Sequence, residues 1–98
     1  MNMQAMMKQA QKLQQDMLAA KNEINNTIYN GKSSFVTVEL NGNKEVLKVQ
    51  IDKDVMDKED IELLEDMLLI AFSEANKKID LDTEKKLGKY TQGMPGLF

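Results

Sequence analysis

Two short stretches of strict alternation face each other across Asn41-Gly42-Asn43, and they constrain the centre of any fold this chain can adopt. From Phe35 to Leu40, Val36, Val38 and Leu40 fall on one face, with Phe35, Thr37 and Glu39 on the other. From Glu45 to Ile51 the alternation returns, with Leu47, Val49 and Ile51 on one face and Lys48 and Gln50 opposite. A period of two belongs to a half-buried strand, because successive side chains leave opposite faces. Asn-Gly between two such runs is hairpin chemistry. The pattern predicts a hairpin over 35–51 with both apolar sets turned to the core. Thr27-Ile28-Tyr29 is a candidate third, edge strand, and Asn30-Gly31 reads as a turn after it.

Long helical periods flank the hairpin. Met3, Ala10, Met17 and Ile24 repeat every seven residues, and Met6, Leu13, Ala20 and Thr27 form the companion column. Sustained over the first 28 residues, this is an a/d seam on one helix, used on the chain's own sheet or in helix pairing. After the hairpin, Asp57 has the character of an N-cap, with Glu59 and Asp60 favourable in the first turn. From Lys58 the apolar residues Ile61, Leu64, Leu68, Ala71, Ala75 and Ile79 keep helical spacing, Met67 and Phe72 widen the stripe, and Leu87 and Tyr90 carry it to about Thr91. Such a helix, about 50 Å long, outruns a domain this small, so its lysine-bearing end should project. Gly93-Met94-Pro95-Gly96 stops it. The expected organisation is one domain over 1–92 and a short flexible tail over 93–98.

Absences restrict function. The 98 residues contain no histidine, cysteine, tryptophan or arginine, and all 13 basic side chains are lysines. The usual general base, thiol nucleophile and imidazole or thiolate metal ligands are missing. Asp52-Lys53-Asp54 does not begin a calcium loop, because Met56, Asp57 and Leu63 stand where that loop needs a ligand, glycine and glutamate. Asp80, Asp82 and Glu84 fail likewise, with Lys85 and Thr91 at the glycine and glutamate positions. No glycine-rich phosphate loop is present. No enzyme, metal, cofactor or small-molecule substrate is expected. Met67 to Phe72 is the longest apolar run, too short for a membrane span, and Met1 to Gln15 has no apolar signal core. The expected location is the cytoplasm.

Charge supplies the remaining candidates. The net charge is −3, but six acids crowd Asp57 to Asp66 while lysines gather toward both ends. Lys78, Lys85 and Lys89 fall close together round an ideal helix, as do Lys8 and Lys12. Four of the eight methionines, Met3, Met6, Met7 and Met17, lie on or beside the first seam, which favours packing over adaptable partner binding.

The order of these parts carries a resemblance. Met7-Lys8-Gln9-Ala10-Gln11-Lys12-Leu13-Gln14, Val36-Thr37-Val38 leading into Asn41-Gly42, and Val49-Gln50-Ile51-Asp52 resemble the YbaB/EbfC family of bacterial nucleoid-associated proteins. Leu64-Glu65-Asp66, Ala71-Phe72, Ala75, Lys77-Lys78-Ile79, Gly93-Met94 and Pro95-Gly96 continue the likeness in order over nearly the whole chain. The resemblance implies an α+β protomer with a long N-terminal helix, a three-stranded antiparallel sheet and a long C-terminal helix, forming a homodimer with projecting helical arms. It also implies double-stranded DNA binding and a role in nucleoid organisation and gene regulation. Lysine stands at Lys48, Lys77 and Lys78 where relatives often carry arginine, and a glycine-rich leader often found before the first helix is not seen. Lysine offers a point charge without the fork that reads base edges, so low sequence specificity is expected. The candidate DNA contacts are Lys8, Lys12, Lys77, Lys78, Lys85, Lys86 and Lys89. Helix–hairpin–helix order also resembles prefoldin subunits, and the alternative is a helical structural or chaperone-like module without DNA binding.

Overall fold

The computed structural model describes residues 2–54 and 59–91. Its element order is α1 (Met3–Asn26), β1 (Ile28–Ser33), β2 (Val36–Asn41), β3 (Val46–Ile51) and α2 (Ile61–Thr91). The molecule is elongated, 70 × 21 × 14 Å. The expected N-cap Asp57 and the expected tail 93–98 lie outside the described residues. The second helix begins at Ile61, three residues later than its apolar period suggested.

Asn2 caps α1, its Oδ1 accepting from the Gln4 N–H at 3.1 Å. At the other end Thr27 leaves the helix, and its hydroxyl donates to the Glu23 carbonyl at 2.6 Å. The chain then turns straight into β1. The three strands form an antiparallel sheet in the order β1-β2-β3. Asn30 and Gly31 are therefore mid-strand, paired with Glu39 and Val38, and not a turn. The β1–β2 reversal falls instead at Ser34 and Phe35, with Ser34 at φ 50°.

Gly31 has another use. A Cβ there would land on the Ala71 carbonyl group and lie 2.8 Å from the Ala75 nitrogen. Only a glycine lets α2 come backbone-to-backbone against β1. Gly42 does the same at the hairpin, where a Cβ would strike the end of α1 at Ile24. In that hairpin the positive φ belongs to Lys44, at 65°, and Asn41 Oδ1 holds the loop by accepting from the N–H groups of Asn43 (2.9 Å) and Glu45 (3.1 Å).

Val36, Val38 and Leu40 are fully or almost fully buried, as their alternation predicts, against Ala71, Ala75 and Ile79 of α2. Ile24, Tyr29, Phe35 and Leu87 complete the core, and Met17, Ala20, Leu64, Met67, Leu68, Phe72 and Tyr90 pack around it. The expectation for β3 is corrected. The register pairs Val38 with Val49 and Val36 with Ile51, so those side chains share a face, but no helix touches β3. Val49 stays 45% and Leu47 50% exposed. The reason is width: a helix is about 10 Å across and strands lie about 4.8 Å apart, so one helix covers about two strands. Gly31 seats α2 over β1 and β2, and β3 is left over. A register jump, from Glu39 opposite Lys48 to Leu40 opposite Val46, makes Leu47 the extra residue of a bulge.

Candidate nucleic-acid interface

α1 and α2 carry the seven lysines singled out from the sequence, and the structure sorts them by what surrounds each ammonium. Lys8 and Lys12 stand on the first half of α1, where every residue from 2 to 16 is exposed. Lys77, Lys78, Lys85 and Lys89 are exposed along the second half of α2. Lys78 Nζ lies 3.3 Å from Glu74 Oε1 one turn earlier, an exposed pair that costs little to open. Lys89 Nζ sits 5.0 Å from the centre of the Tyr90 ring, a cation–π contact that leaves its N–H donors available.

Lys86 differs. Its ammonium is 3.0 Å from Asp82 Oδ2 and 3.3 Å from Glu23 Oε1, with the side chain 26% exposed. Asp82 Oδ2 also accepts from the Tyr29 hydroxyl at 2.5 Å. One cluster thus ties β1 (Tyr29), α1 (Glu23) and α2 (Asp82, Lys86) together. The bound phenol and then Lys86 hold the Asp82 carboxyl below its ordinary pKa, while its own burial works the other way. The hydrogen bond from Lys86 to Asp82 holds the ammonium above its usual value. Burial, reinforced by the Asp82 carboxylate, pushes the Tyr29 phenol up to about 12. The sequence offered the i,i+4 spacing of Asp82 and Lys86 as a signal, but nothing local announces that Tyr29, 53 positions from Asp82, closes the group.

The acids Glu59, Asp60, Glu62, Glu65 and Asp66 cluster at the start of α2, so charge separates along the helix: acidic at its beginning, lysine-rich toward its end. A second lysine pair, Lys32 and Lys53, flanks a polar cleft at the far end of the hairpin with Ser34, Thr37 and Gln50, but Asp52 and Asp54 line it too. Among the described residues, no group of three or more histidine, cysteine, aspartate or glutamate side chains is placed to hold a metal ion. Nor, among those residues, is any helix long and apolar enough to cross a membrane.

Two helices on a small antiparallel sheet, with exposed lysines on both and the exposed acids Asp80 and Glu84 between those of α2, make an α+β module that offers point charges and no catalytic or metal-binding cluster among the described residues. That class is met by comparison with known proteins. The chain belongs to the YbaB/EbfC DNA-binding family, whose model matches residues 1–94. It is 50% identical over 97 residues to a nucleoid-associated protein of Lactococcus lactis, covering 97% of this chain and 98% of that one. It is 41% identical over 97 residues to a nucleoid-associated protein of Enterococcus faecalis, covering 97% and 93%. In fold it is similar to the crystal structure of an uncharacterised protein from Helicobacter pylori, with a TM-score of 0.71 at 22% identity, covering 94% of this chain and 98% of that one.

Proposed function

We propose that this chain is a non-enzymatic, nucleoid-associated protein of the bacterial cytoplasm that binds double-stranded DNA as a homodimer with low sequence specificity, contributing to nucleoid organisation and gene regulation. The carrying observation is that Lys8, Lys12, Lys77, Lys78, Lys85 and Lys89 are exposed along two helices. A row of point charges suits phosphates, which position a protein without specifying bases. The curated relatives, called nucleoid-associated proteins, support the same reading. Lys86, held between Glu23 of α1 and Asp82 of α2, is read as a tie between the two helices. β3 supports the homodimer: Val46, Leu47, Val49 and Ile51 form an exposed apolar strip on an edge strand, a surface that a second copy would cover together with the unpaired edge.

The test is duplex binding by the purified chain across a salt series, beside charge reversals of Lys77 with Lys78 and of Lys85 with Lys89. Each neutralised phosphate releases counterions, so affinity should fall steeply with salt and each reversed pair should weaken binding. Absence of binding at low salt, or affinity indifferent to salt, defeats the reading. Sedimentation at equilibrium reads the dimer separately.

A further inference from the structure

The heptad seam of α1 does not stop where its contact with the rest of the fold stops. Met17, Ala20 and Ile24 pack on or beside the core, whereas Met3, Met6, Ala10 and Leu13 continue the same two columns into solvent. Met3 is 76% and Leu13 60% exposed. This free half of α1 runs about 20 Å, a length at which a lone helix is marginal in water. Exposed large apolar residues in a continuous line mark a contact surface.

We infer that the free half of α1 pairs with the same segment of α1 from a second copy belonging to another dimer, so that DNA-bound dimers are linked through their arms. The inference rests on the DNA-binding homodimer proposed above. The occupant is chosen by what borders the seam. With Met3 and Ala10 at a, and Met6 and Leu13 at d, the flanking e and g positions hold Met7, Gln9 and Gln14. None carries charge, so nothing there repels an identical helix, and nothing selects a charged foreign one. Charge reaches the seam's border only from Lys12 and Asp16, which line one groove with Met6, Ala10 and Leu13 toward the root of the helix. Lys8 falls at f, on the side opposite the seam, so paired arms keep its ammonium group free for phosphate. The seam and the β3 strip are also separate surfaces, since α1 and β3 do not touch. Two separate apolar surfaces allow assembly to extend past the pair.

A seam of about two heptads is short, so arm pairing should be weak in free solution and strong where DNA raises the effective concentration of arms. The test uses the full chain with an immobilised duplex and a second, labelled duplex, scoring labelled DNA retained on the solid phase. Met6→Gln and Leu13→Gln make the seam polar without altering charge, and glutamine is a good helix former. The expected result is unchanged binding to a single duplex, with retention of the second duplex reduced about tenfold or more. Retention unaffected by Leu13→Gln overturns the inference. So does single-duplex binding that falls in step with retention, which would put the seam on DNA. Dissociation of the variant to monomers would make the seam the dimer interface, and a lowered melting temperature with retention intact would place it inside the protomer's own fold; either overturns it. A parent chain that binds no duplex defeats the earlier proposal instead. The arms are then read by sedimentation at high concentration, where tetramers in the parent but not in Leu13→Gln support pairing, and dimers throughout refute it.

Discussion

Lys85 and Lys86 are neighbours in sequence, yet they should separate cleanly under salt. Lys85 is exposed and makes no salt bridge among the described residues, whereas Lys86 is shared between Asp82 and Glu23. If Lys85 meets one phosphate in each protomer, Lys85→Gln removes two contacts from a dimer. At about 0.9 per phosphate, the slope of log affinity against log salt becomes shallower by about 1.8. Between 50 and 200 mM salt, the parent then loses about tenfold more affinity than the variant. Lys86→Gln should leave the slope where it was and lower the melting temperature, because Glu23 and Asp82 lose their shared cation. Fluorescence anisotropy of a labelled duplex at a series of salt concentrations gives both slopes, and a thermal melt gives the second readout. A Lys86→Gln slope as shallow as that of Lys85→Gln would show that Lys86 leaves its carboxylates for phosphate, and the assignment of the cluster as a structural tie would be wrong.

Gly31→Ala should cost about 3 kcal/mol or more, because the new methyl meets the Ala71 and Ala75 backbone and not a movable side chain. A urea melt showing a loss below about 1 kcal/mol would mean that α2 can lift off β1 without penalty. Tyr29 carries a pH signature: its folded pKa of about 12 lies above the unfolded value near 10, so its contribution is complete below pH 10 and disappears as pH rises toward 12. By linkage the parent loses roughly 2 to 3 kcal/mol across that window, a loss that Tyr29→Phe should lack when the two are unfolded side by side. Lys44→Val should be less stable than Lys44→Gly by about 1–2 kcal/mol, since φ 65° suits glycine and crowds a branched side chain. Equal denaturation midpoints for the two would remove the strain argument.

The hairpin was legible because alternation and turn chemistry agree, and Val36, Val38 and Leu40 are buried as the period of two requires. The same reading misplaced Asn30-Gly31, since glycine's freedom to turn and glycine's lack of a side chain look alike in a sequence. Here the second property matters, and it takes effect through Ala71 and Ala75, 40 or more positions away. Gly42 misleads in the same manner: it lies in the hairpin loop as expected, but the positive φ is on Lys44. Alternation in β3 correctly grouped Val49 and Ile51 with Val38 and Val36, yet it could not show that α2 is too narrow to reach them. Of the candidate contacts, Lys8, Lys12, Lys77, Lys78, Lys85 and Lys89 are exposed as helical spacing suggests. Lys86 could not be told apart from Lys85 without Tyr29 and Glu23, which arrive from other elements.

The close approach at Gly31 also sets a clock for the rest of α2. Because Ala71 and Ala75 are keyed against that glycine, the helix cannot roll on the sheet, and each later residue inherits a fixed bearing. A single residue inserted between Ile79 and Lys85 would turn Lys85 and Lys89 by about 100° while leaving Lys77 and Lys78 in place, splitting the charged row between two sides of the rod. An insertion of seven residues would bring the bearing back to within about 20°. The bearing of these lysines is therefore restored only in steps of about two turns, a quantised pattern imposed by one missing methyl group on the opposite side of the fold.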